Sequence, residues 1–287
     1  MTDQQIQTQN DVITKLYYLT PLDEYNTTKP YYVNWPVHDI QGAQQTNLSH
    51  TSYENILIRD IRGLGVKCEI DVQGFQLETH PTSLNNEDFD DDALIREKYY
   101  PEMSELAKNT LNASRVFIFE HTHRVQNPTL KGCGCSRKRK PLVSAHIDQT
   151  PASSEQRVRY HLGGDAENLL KGRFQVVNTW RPLFGPLKGY PLTLGDARTF
   201  DLNRDGVPTD LVFPHYVGES LNLLHHPDQR WYYASEQNRD EVWLFKCYDS
   251  ATGVAQAAPH CSFDIQDGQF SERPRESVEV RMLVFYN

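Results

Sequence analysis

The tripeptide His146–Ile147–Asp148 holds the side chains of this sequence that most favour metal chemistry. In an extended segment, residues two apart project to the same face, so this imidazole and this carboxylate can bind one metal ion together. The tripeptide ends a predicted strand, and Pro151 turns the chain out of the sheet directly afterwards. That is the arrangement of a site at the mouth of a barrel, although a His-x-Asp tripeptide alone is common by chance.

A third ligand has to come from elsewhere in the chain. His260 opens another predicted strand and offers a second imidazole. His225 and His226 compete for this role, but they lie in a predicted hairpin loop. Two imidazoles and one carboxylate, with open positions opposite, suit the oxygen chemistry of Fe(II). The sequence therefore predicts a catalytic metal site formed by His146, Asp148 and His260.

The last predicted strand has one polar and one apolar face. Arg275, Ser277, Glu279 and Arg281 alternate along the polar face. A metal ion held by two neutral imidazoles and one carboxylate keeps a positive charge that a chelating 2-oxo acid can offset. The far carboxylate of that acid needs a fixed cation, and a guanidinium beside a hydroxyl binds it with defined direction. Arg275 with Ser277 fits this role, Arg281 competes for it, and Asn178 is a further candidate contact.

Aromatic residues near these motifs are candidates for the wall of a substrate pocket, because aromatic walls suit apolar substrates. Trp231 and Tyr233 share one face of a predicted strand, and Trp180 lies two residues beyond Asn178 on another. We expect these three aromatic residues to contact substrate. The hydrophobic core is the alternative position for Trp180.

The elements that must position these residues are mainly strands. Aromatic residues make up 11% of the chain, with 15 Tyr and 12 Phe, and such residues favour sheets. A helix is predicted from Ala93 to Leu111, and the many short strands separated by Pro, Gly and Asp-rich turns indicate a sandwich or barrel. The predicted strands are Ile13–Leu19, Tyr31–Asn34, Ile56–Ile61, Cys68–Leu77, Arg115–Glu120, Leu142–His146, Phe174–Trp180, Asp210–Val217, Ser220–Leu224, Gln229–Ala234, Glu241–Tyr248, His260–Ile265 and Ser277–Tyr286.

The length of 287 residues fits one large domain. We expect a single domain over residues 1–287, in which strands and a helix from 1–112 pack on a core formed by 113–287. Soluble oligomers are most often homodimers, which makes a homodimer the default expectation while the oligomeric state stays open.

Composition excludes several functional classes. The net charge of -9 disfavours binding to the phosphate backbone of nucleic acids. The sequence starts without a basic leader and contains no apolar run of about 20 residues, which predicts a cytoplasmic protein without a membrane span. Five cysteines, an odd number, argue against a disulfide framework. A zinc site at Cys133 and Cys135 is disfavoured by their spacing.

The order His-x-Asp, distant His and then Arg-x-Ser resembles the Fe(II)/2-oxoglutarate-dependent dioxygenases. More closely, the chain resembles the fungal asaB-type hydroxylase/desaturase family, which includes gibberellin desaturases and endoperoxide-forming relatives. The segments that carry this resemblance are SAHIDQTP (Ser144–Pro151), VVNTWRPLFGP (Val176–Pro186), PLTLGDART (Pro191–Thr199), DQRWYYASEQNRDEVWLFKCYDS (Asp228–Ser250), APHCSF (Ala258–Phe263) and PRESVEVRMLVF (Pro274–Phe285). They lie in the second half of the chain, and the N-terminal third matches only loosely.

The resemblance implies a mainly β fold with flanking helices around a double-stranded β-helix core of the jelly-roll, cupin-like type. It implies Fe(II) on His146, Asp148 and His260, with 2-oxoglutarate held by the strand of Arg275 and Ser277 and with O2 as the oxidant. The interval from His260 to Arg275 is longer than usual in the family, which leaves the choice between Arg275 and Arg281 open.

The resulting hypothesis is an oxygenase that attacks an unactivated C–H bond of a small secondary metabolite, of terpenoid or polyketide origin. The outcome can be hydroxylation, desaturation, epoxidation or endoperoxide formation, and the sequence does not distinguish among them. Two alternatives from other classes are a redox-inactive metal-binding β-barrel that serves as a partner subunit, and an isomerase that uses the same triad.

Overall fold

The structure, a computed structural model, describes residues 9–65, 67–126, 138–265 and 273–286. Within these ranges fifteen strands form two sheets. The strands are β1 (Val12–Leu19), β2 (Tyr31–Val33), β3 (His50–Asp60), β4 (Phe75–Thr79), β5 (Arg115–Val125), β6 (Lys138–Arg139), β7 (His146–Ile147), β8 (Phe174–Pro182), β9 (Leu192–Gly195), β10 (Gly206–Phe213), β11 (Tyr216–Leu223), β12 (Trp231–Tyr233), β13 (Glu241–Asp249), β14 (His260–Ser262) and β15 (Glu276–Phe285). The α-helices are α1 (Asp92–Leu94), α2 (Tyr100–Leu111), α3 (Pro151–Leu162), α4 (Ala166–Leu169) and α5 (Leu202–Asp205).

The larger sheet has the order β1-β3-β12-β9-β14-β7-β11-β10-β2, and the smaller one β4-β13-β8-β15-β5-β6. Sequence neighbours are often not sheet neighbours, as expected of a jelly roll rather than a meander. The prediction of a mainly β fold with a jelly-roll core is confirmed.

Strand β15 shows how alternating side chains divide the interior. Its apolar face packs under α2, where Val278, Val280 and Met282 join a cluster with Met103 and Leu106 of the helix. The opposite face carries Arg, Ser, Glu and Arg side chains into the space between the sheets, because successive residues of a strand point to opposite faces. The predicted polar face of the last strand is therefore found at the centre of the protein.

Helix α2 begins after a π-helical turn at Ile95–Tyr99 and ends at Leu111. The capping residue Asn112 has a φ of 53°, in the left-handed region that closes many helices. The predicted helix from Ala93 to Leu111 thus corresponds to consecutive helical segments. Helix α3 begins at Pro151 because the Thr150 hydroxyl accepts a hydrogen bond from the Ser153 amide, and proline suits the first turn. This helix start takes the chain out of the sheet three residues after Asp148.

Several strand predictions needed correction. The predicted strand Asp210–Val217 crosses the turn at residues 214–215, which separates β10 from β11. The segment from Cys68 forms turns before β4 starts at Phe75, since Gly74 has a φ of +90° that breaks the extended conformation. The strand predicted from Leu142 is reduced to the two residues of β7, and the short strands β6 and β9 were missed.

The N-terminal strands pair with strands of the later part of the chain. β3 pairs in parallel with β12, and β4 pairs antiparallel with β13. Among the described residues no helix is long and apolar enough to cross a membrane.

Candidate metal centre

Short strands of the larger sheet bring the three predicted ligands together. His146 on β7 lies directly opposite His260 on β14, and its other cross-strand neighbour is Asn222 on β11. Side chains directly opposite each other in antiparallel strands are close neighbours. Asp148 follows two residues after His146 and returns to the same side. The ligand atoms of His146, Asp148 and His260 all lie within 4.8 Å of one another.

Hydrogen bonds fix which ring nitrogen of each histidine is free. Nδ1 of His146 lies 2.9 Å from the Ser144 carbonyl oxygen, and Nδ1 of His260 lies 3.2 Å from that of Ala258. A carbonyl oxygen can only accept, so each Nδ1 carries the proton and each Nε2 keeps a lone pair. Metal-binding histidines commonly adopt this tautomer. One ring nitrogen binds the metal, and the N–H of the other donates to a carbonyl or carboxylate that orients the ring.

The space between these atoms fits a cation. Nε2 of His146 lies 3.6 Å from Oδ1 of Asp148, and the two imidazole centroids are 4.3 Å apart. Nε2 of His260 is buried and has no hydrogen-bond partner among the described residues. A buried lone pair without a donor is costly, and a metal ion would satisfy it.

The second oxygen of Asp148 is held by the smaller sheet. Oδ2 accepts from Nδ2 of Asn178 at 2.7 Å and from Nε of Arg281 at 2.8 Å. Arg281 also donates to Oε1 of Glu279 at 2.5 Å, and Asn178 does so at 3.0 Å. Burial alone would raise the pKa of Asp148, but Arg281 and the two histidines hold it well below its usual value. The carboxylate is thus ionised and oriented, with Oδ1 directed to the histidines.

Arg275 occupies a separate polar recess beside this network. Its guanidinium donates to Oγ of Ser277 at 2.7 Å, to Oγ of Ser262 at 2.5 Å and to the Tyr190 carbonyl oxygen at 3.0 Å. In the part of the chain that the structure describes, no carboxylate accepts from it. Burial lowers the pKa of Arg275 to about 9, which leaves it protonated at neutral pH.

The three aromatic residues predicted to contact substrate lie in different surroundings. The ring of Trp180 is below Arg275, with its centroid 5.1 Å from the guanidinium carbon. Nε1 of Trp231 donates to the Tyr18 hydroxyl at 2.8 Å, and the Tyr233 ring packs edge-on against Phe263. All three rings are almost fully buried, and their role toward substrate stays a prediction.

The competing metal ligands lie elsewhere. His225 stacks on Tyr53 with ring centroids 4.1 Å apart, and His226 lies 3.5 Å from Asp228. Cys133 and Cys135 fall outside the described residues.

Known proteins resemble this chain over most of its length. A family model described as an oxidoreductase/YMDC permease-like domain matches residues 16–285. The hydroxylase/desaturase efuI of Hormonema carpetanum is 33% identical over 252 residues, which cover 80% of this chain and 83% of efuI. The chain belongs to the asaB-type hydroxylase/desaturase family. The family predicted from the motifs is therefore confirmed.

A further relative and a solved structure connect this family to named cofactors. The Fe(II)/2-oxoglutarate-dependent dioxygenase nvfI of Aspergillus novofumigatus is 29% identical over 254 residues, covering 85% of this chain and 87% of nvfI. A solved structure of the iron and alpha-ketoglutarate-dependent endoperoxidase NvfI matches with a TM-score of 0.84 and 26% identity, over 98% of this chain and 100% of that one.

Sequence reasoning missed a third histidine near the candidate metal centre. His50, at the start of β3, is partly exposed and lies near the side chains of Asn222 and His146. Asn222 in turn donates to Oγ1 of Thr209 at 2.9 Å, which fixes its amide. Partial burial lowers the pKa of His50, and the neighbouring Asn222 side chain acts in the opposite direction. No motif surrounds His50 in the sequence, so only its neighbours in space reveal it.

Burial and the neighbouring His146 lower the pKa of His260 to about 3, compared with about 6.5 in an unfolded chain. Between these values the unfolded state binds one more proton, so the metal-free protein loses stability as the pH falls below about 6.5. We expect this to cost about 2 kcal/mol at pH 5. Urea unfolding at pH 7 and pH 5 measures it: the wild type should lose about 2 kcal/mol more than His260→Asn. Equal losses would show that this imidazole is not held neutral by burial.

Proposed function

We propose that this chain is an Fe(II)/2-oxoglutarate-dependent oxygenase that oxidises an unactivated C–H bond of a small secondary metabolite. The observation that carries the proposal is the convergence of two imidazole lone pairs and one carboxylate oxygen, with Nε2 of His260 buried and unpartnered among the described residues. Two histidines and one carboxylate with open positions are the ligand set of non-haem Fe(II) oxygenases. The named cofactors of nvfI agree with that ligand set.

Each ligand of the triad has a defined task. The Ser144 and Ala258 carbonyls hold Nδ1–H of the two histidines, so that both Nε2 atoms point to the shared space. Arg281 and Asn178 occupy Oδ2 of Asp148, which leaves Oδ1 for the metal. Fe(II), when bound, supplies the site for O2 activation with 2-oxoglutarate as the reductant.

We assign the far carboxylate of 2-oxoglutarate to Arg275 rather than Arg281. Arg281 already neutralises Asp148 and Glu279, whereas the partners of Arg275 are two hydroxyls and a carbonyl. A buried guanidinium without a carboxylate is a strong anion site. Ser277 is positioned to share the incoming carboxylate with Arg275. In this proposal Arg281 and Asn178 act on Asp148 and do not bind the co-substrate directly.

The substrate is expected on the metal-bearing face of the larger sheet. His50 lies beside His146 with part of its surface exposed, so its imidazole can hydrogen-bond an oxygen of the substrate. We expect the ring face of Trp180 to stabilise the guanidinium of Arg275, since a cation over an indole ring is stabilised. A terpenoid or polyketide with apolar surface and a few oxygens suits such a mixed wall.

We further propose that residues 1–287 form one domain acting in the cytoplasm, alone or as a homodimer, on a small molecule. Support for one domain comes from β3 and β4, which pair with β12 and β13 of the later region.

Succinate release tests the proposal. Purified protein with Fe(II) and 2-oxoglutarate under air should form succinate, at least slowly without substrate, and faster when an extract containing its substrate is added. Because decarboxylation of 2-oxoglutarate needs a redox-active metal, a scaffold subunit or an isomerase would form none above the metal-free control. Absence of succinate from a metal-loaded protein, with or without extract, would refute the oxygenase.

A further inference from the structure

Lys246, on β13, is a buried lysine with a complete set of partners. Its side chain is 0% exposed, and Nζ donates to Oδ1 of Asp71 at 2.5 Å, to Oδ2 of Asp249 at 2.6 Å and to the Ala255 carbonyl oxygen at 3.0 Å. An ammonium has three protons, so these bonds use all of them. Burial opposes ionisation of Asp249, but hydrogen bonds from Arg173, Gln175 and Lys246 keep its pKa below the usual value. The cluster is therefore charged.

Lys246 contacts both ends of segment 255–258, which leads to His260 on β14. Residues 255–258 lead from β13 towards β14, and the ammonium of Lys246 binds this segment at Ala255. At its other end the Ala258 amide donates to the Lys246 carbonyl oxygen at 2.8 Å. The carbonyl of Ala258 is the group that accepts Nδ1–H of His260. A displacement of segment 255–258 would thus move the partner that orients a metal ligand.

Gly74 packs directly against segment 255–258. Its φ is +90°, and a Cβ placed there would lie 3.1 Å from the Ala258 side chain and 3.3 Å from the Ala257 carbonyl oxygen. The Gly74 carbonyl also accepts from the Lys246 amide at 2.9 Å. The backbone of segment 255–258 is therefore packed tightly and has one defined position.

We propose that Lys246 is a positioning residue for the metal site, acting on His260 through segment 255–258. This inference rests on the proposed function, since it requires that the triad binds a metal. The alternative is an ion-pair cluster that stabilises the fold without influence on the site. Outer partners of metal-binding histidines commonly change metal affinity about ten- to a hundredfold, so the two possibilities differ measurably.

Arg173 provides a matched control within the same cluster. It donates to Oδ2 of Asp249 at 2.7 Å and to Oδ1 of Asp71 at 2.9 Å, the two carboxylates that Lys246 also binds. Among the described residues it makes no hydrogen bond to segment 255–258. Lys246→Met and Arg173→Met each remove one cation from the same carboxylates, but only Lys246→Met releases the Ala255 carbonyl.

The experiment compares Co(II) binding by calorimetry in wild type, Lys246→Met and Arg173→Met, with urea unfolding of each. We expect the dissociation constant to rise about tenfold in Lys246→Met and less than about twofold in Arg173→Met. The visible spectrum of bound Co(II), which reports ligand geometry, should change only in Lys246→Met. Equal Co(II) affinities and spectra in the two folded variants would overturn the inference.

Gly74→Ala keeps the test decisive if Lys246→Met does not fold. It leaves the charges intact and presses on Ala258, so it should weaken Co(II) binding in the same direction; an unchanged affinity would also overturn the inference. Failure of the proposed function would look different. In that case the metal-loaded wild type would form no succinate from 2-oxoglutarate, or would bind Co(II) no better than His146→Ala.

Discussion

His146→Ala should abolish succinate formation and weaken Fe(II) binding by more than about a hundredfold. Loss of an outer partner alone costs about ten- to a hundredfold in metal affinity, and this substitution removes a ligand. His146 also lies between His260 and Asn222 in the sheet, so its loss leaves two ligands that no longer surround the ion. Fe(II) titration under anaerobic conditions and succinate analysis under air measure both effects.

His215→Ala is the control for this prediction. His215 is exposed in the turn between β10 and β11, and its removal should leave both measurements unchanged. Retention of more than a tenth of the wild-type Fe(II) affinity in His146→Ala would mean that this imidazole is not a ligand.

Arg275→Met should raise the KM for 2-oxoglutarate about a hundredfold while Fe(II) binding stays the same. Removing one partner of a buried, hydrogen-bonded charge pair costs about 3 kcal/mol, which corresponds to roughly a hundredfold. Met fills most of the same space above Trp180, so packing is largely kept. Succinate formation at varied 2-oxoglutarate concentrations gives the KM.

Two variants make the assignment of Arg275 specific. Arg115→Met removes an exposed arginine that pairs with Asp165, and it should not change the KM. Arg281→Met removes the donor to Asp148 and should weaken Fe(II) binding more than 2-oxoglutarate binding. If Arg281→Met raised the KM a hundredfold and Arg275→Met did not, the two arginines would have been assigned in the wrong order.

Local periodicity explains why much of the site could be predicted from the sequence. His146 and Asp148 are two residues apart in an extended segment, and the same period places Arg275 and Ser277 on one face of β15. The last strand was recognisable because its apolar and polar residues alternate strictly. Such patterns depend only on neighbours along the chain.

Contacts between distant strands explain what the sequence left open. The choice between Arg275 and Arg281 depends on the pairing of Arg281 with Asn178 across β15 and β8, which brings both to Asp148. His50 comes near His146 because β1, which pairs with β3, also bridges from Tyr17 to Ser144. Neither fact has a signal in the local pattern of residues.

Turns and short strands were the weakest part of the fold prediction. The segment before β4 looked extended by composition, yet the left-handed conformation of Gly74 ends the turn there. β9 follows a Pro and Gly-rich stretch and has only four residues, which is too short to show a clear alternation in the sequence. Its place in the sheet comes from its pairing with β14 and β12.

Anomalous diffraction at the iron absorption edge, from crystals loaded with Fe(II) without oxygen, tests the central claim most directly. The account predicts one strong peak at bonding distance from Nε2 of His146, Oδ1 of Asp148 and Nε2 of His260, with Arg281 still on Oδ2. A peak bound by other side chains, or none at this triad in crystals that contain stoichiometric iron, would contradict it.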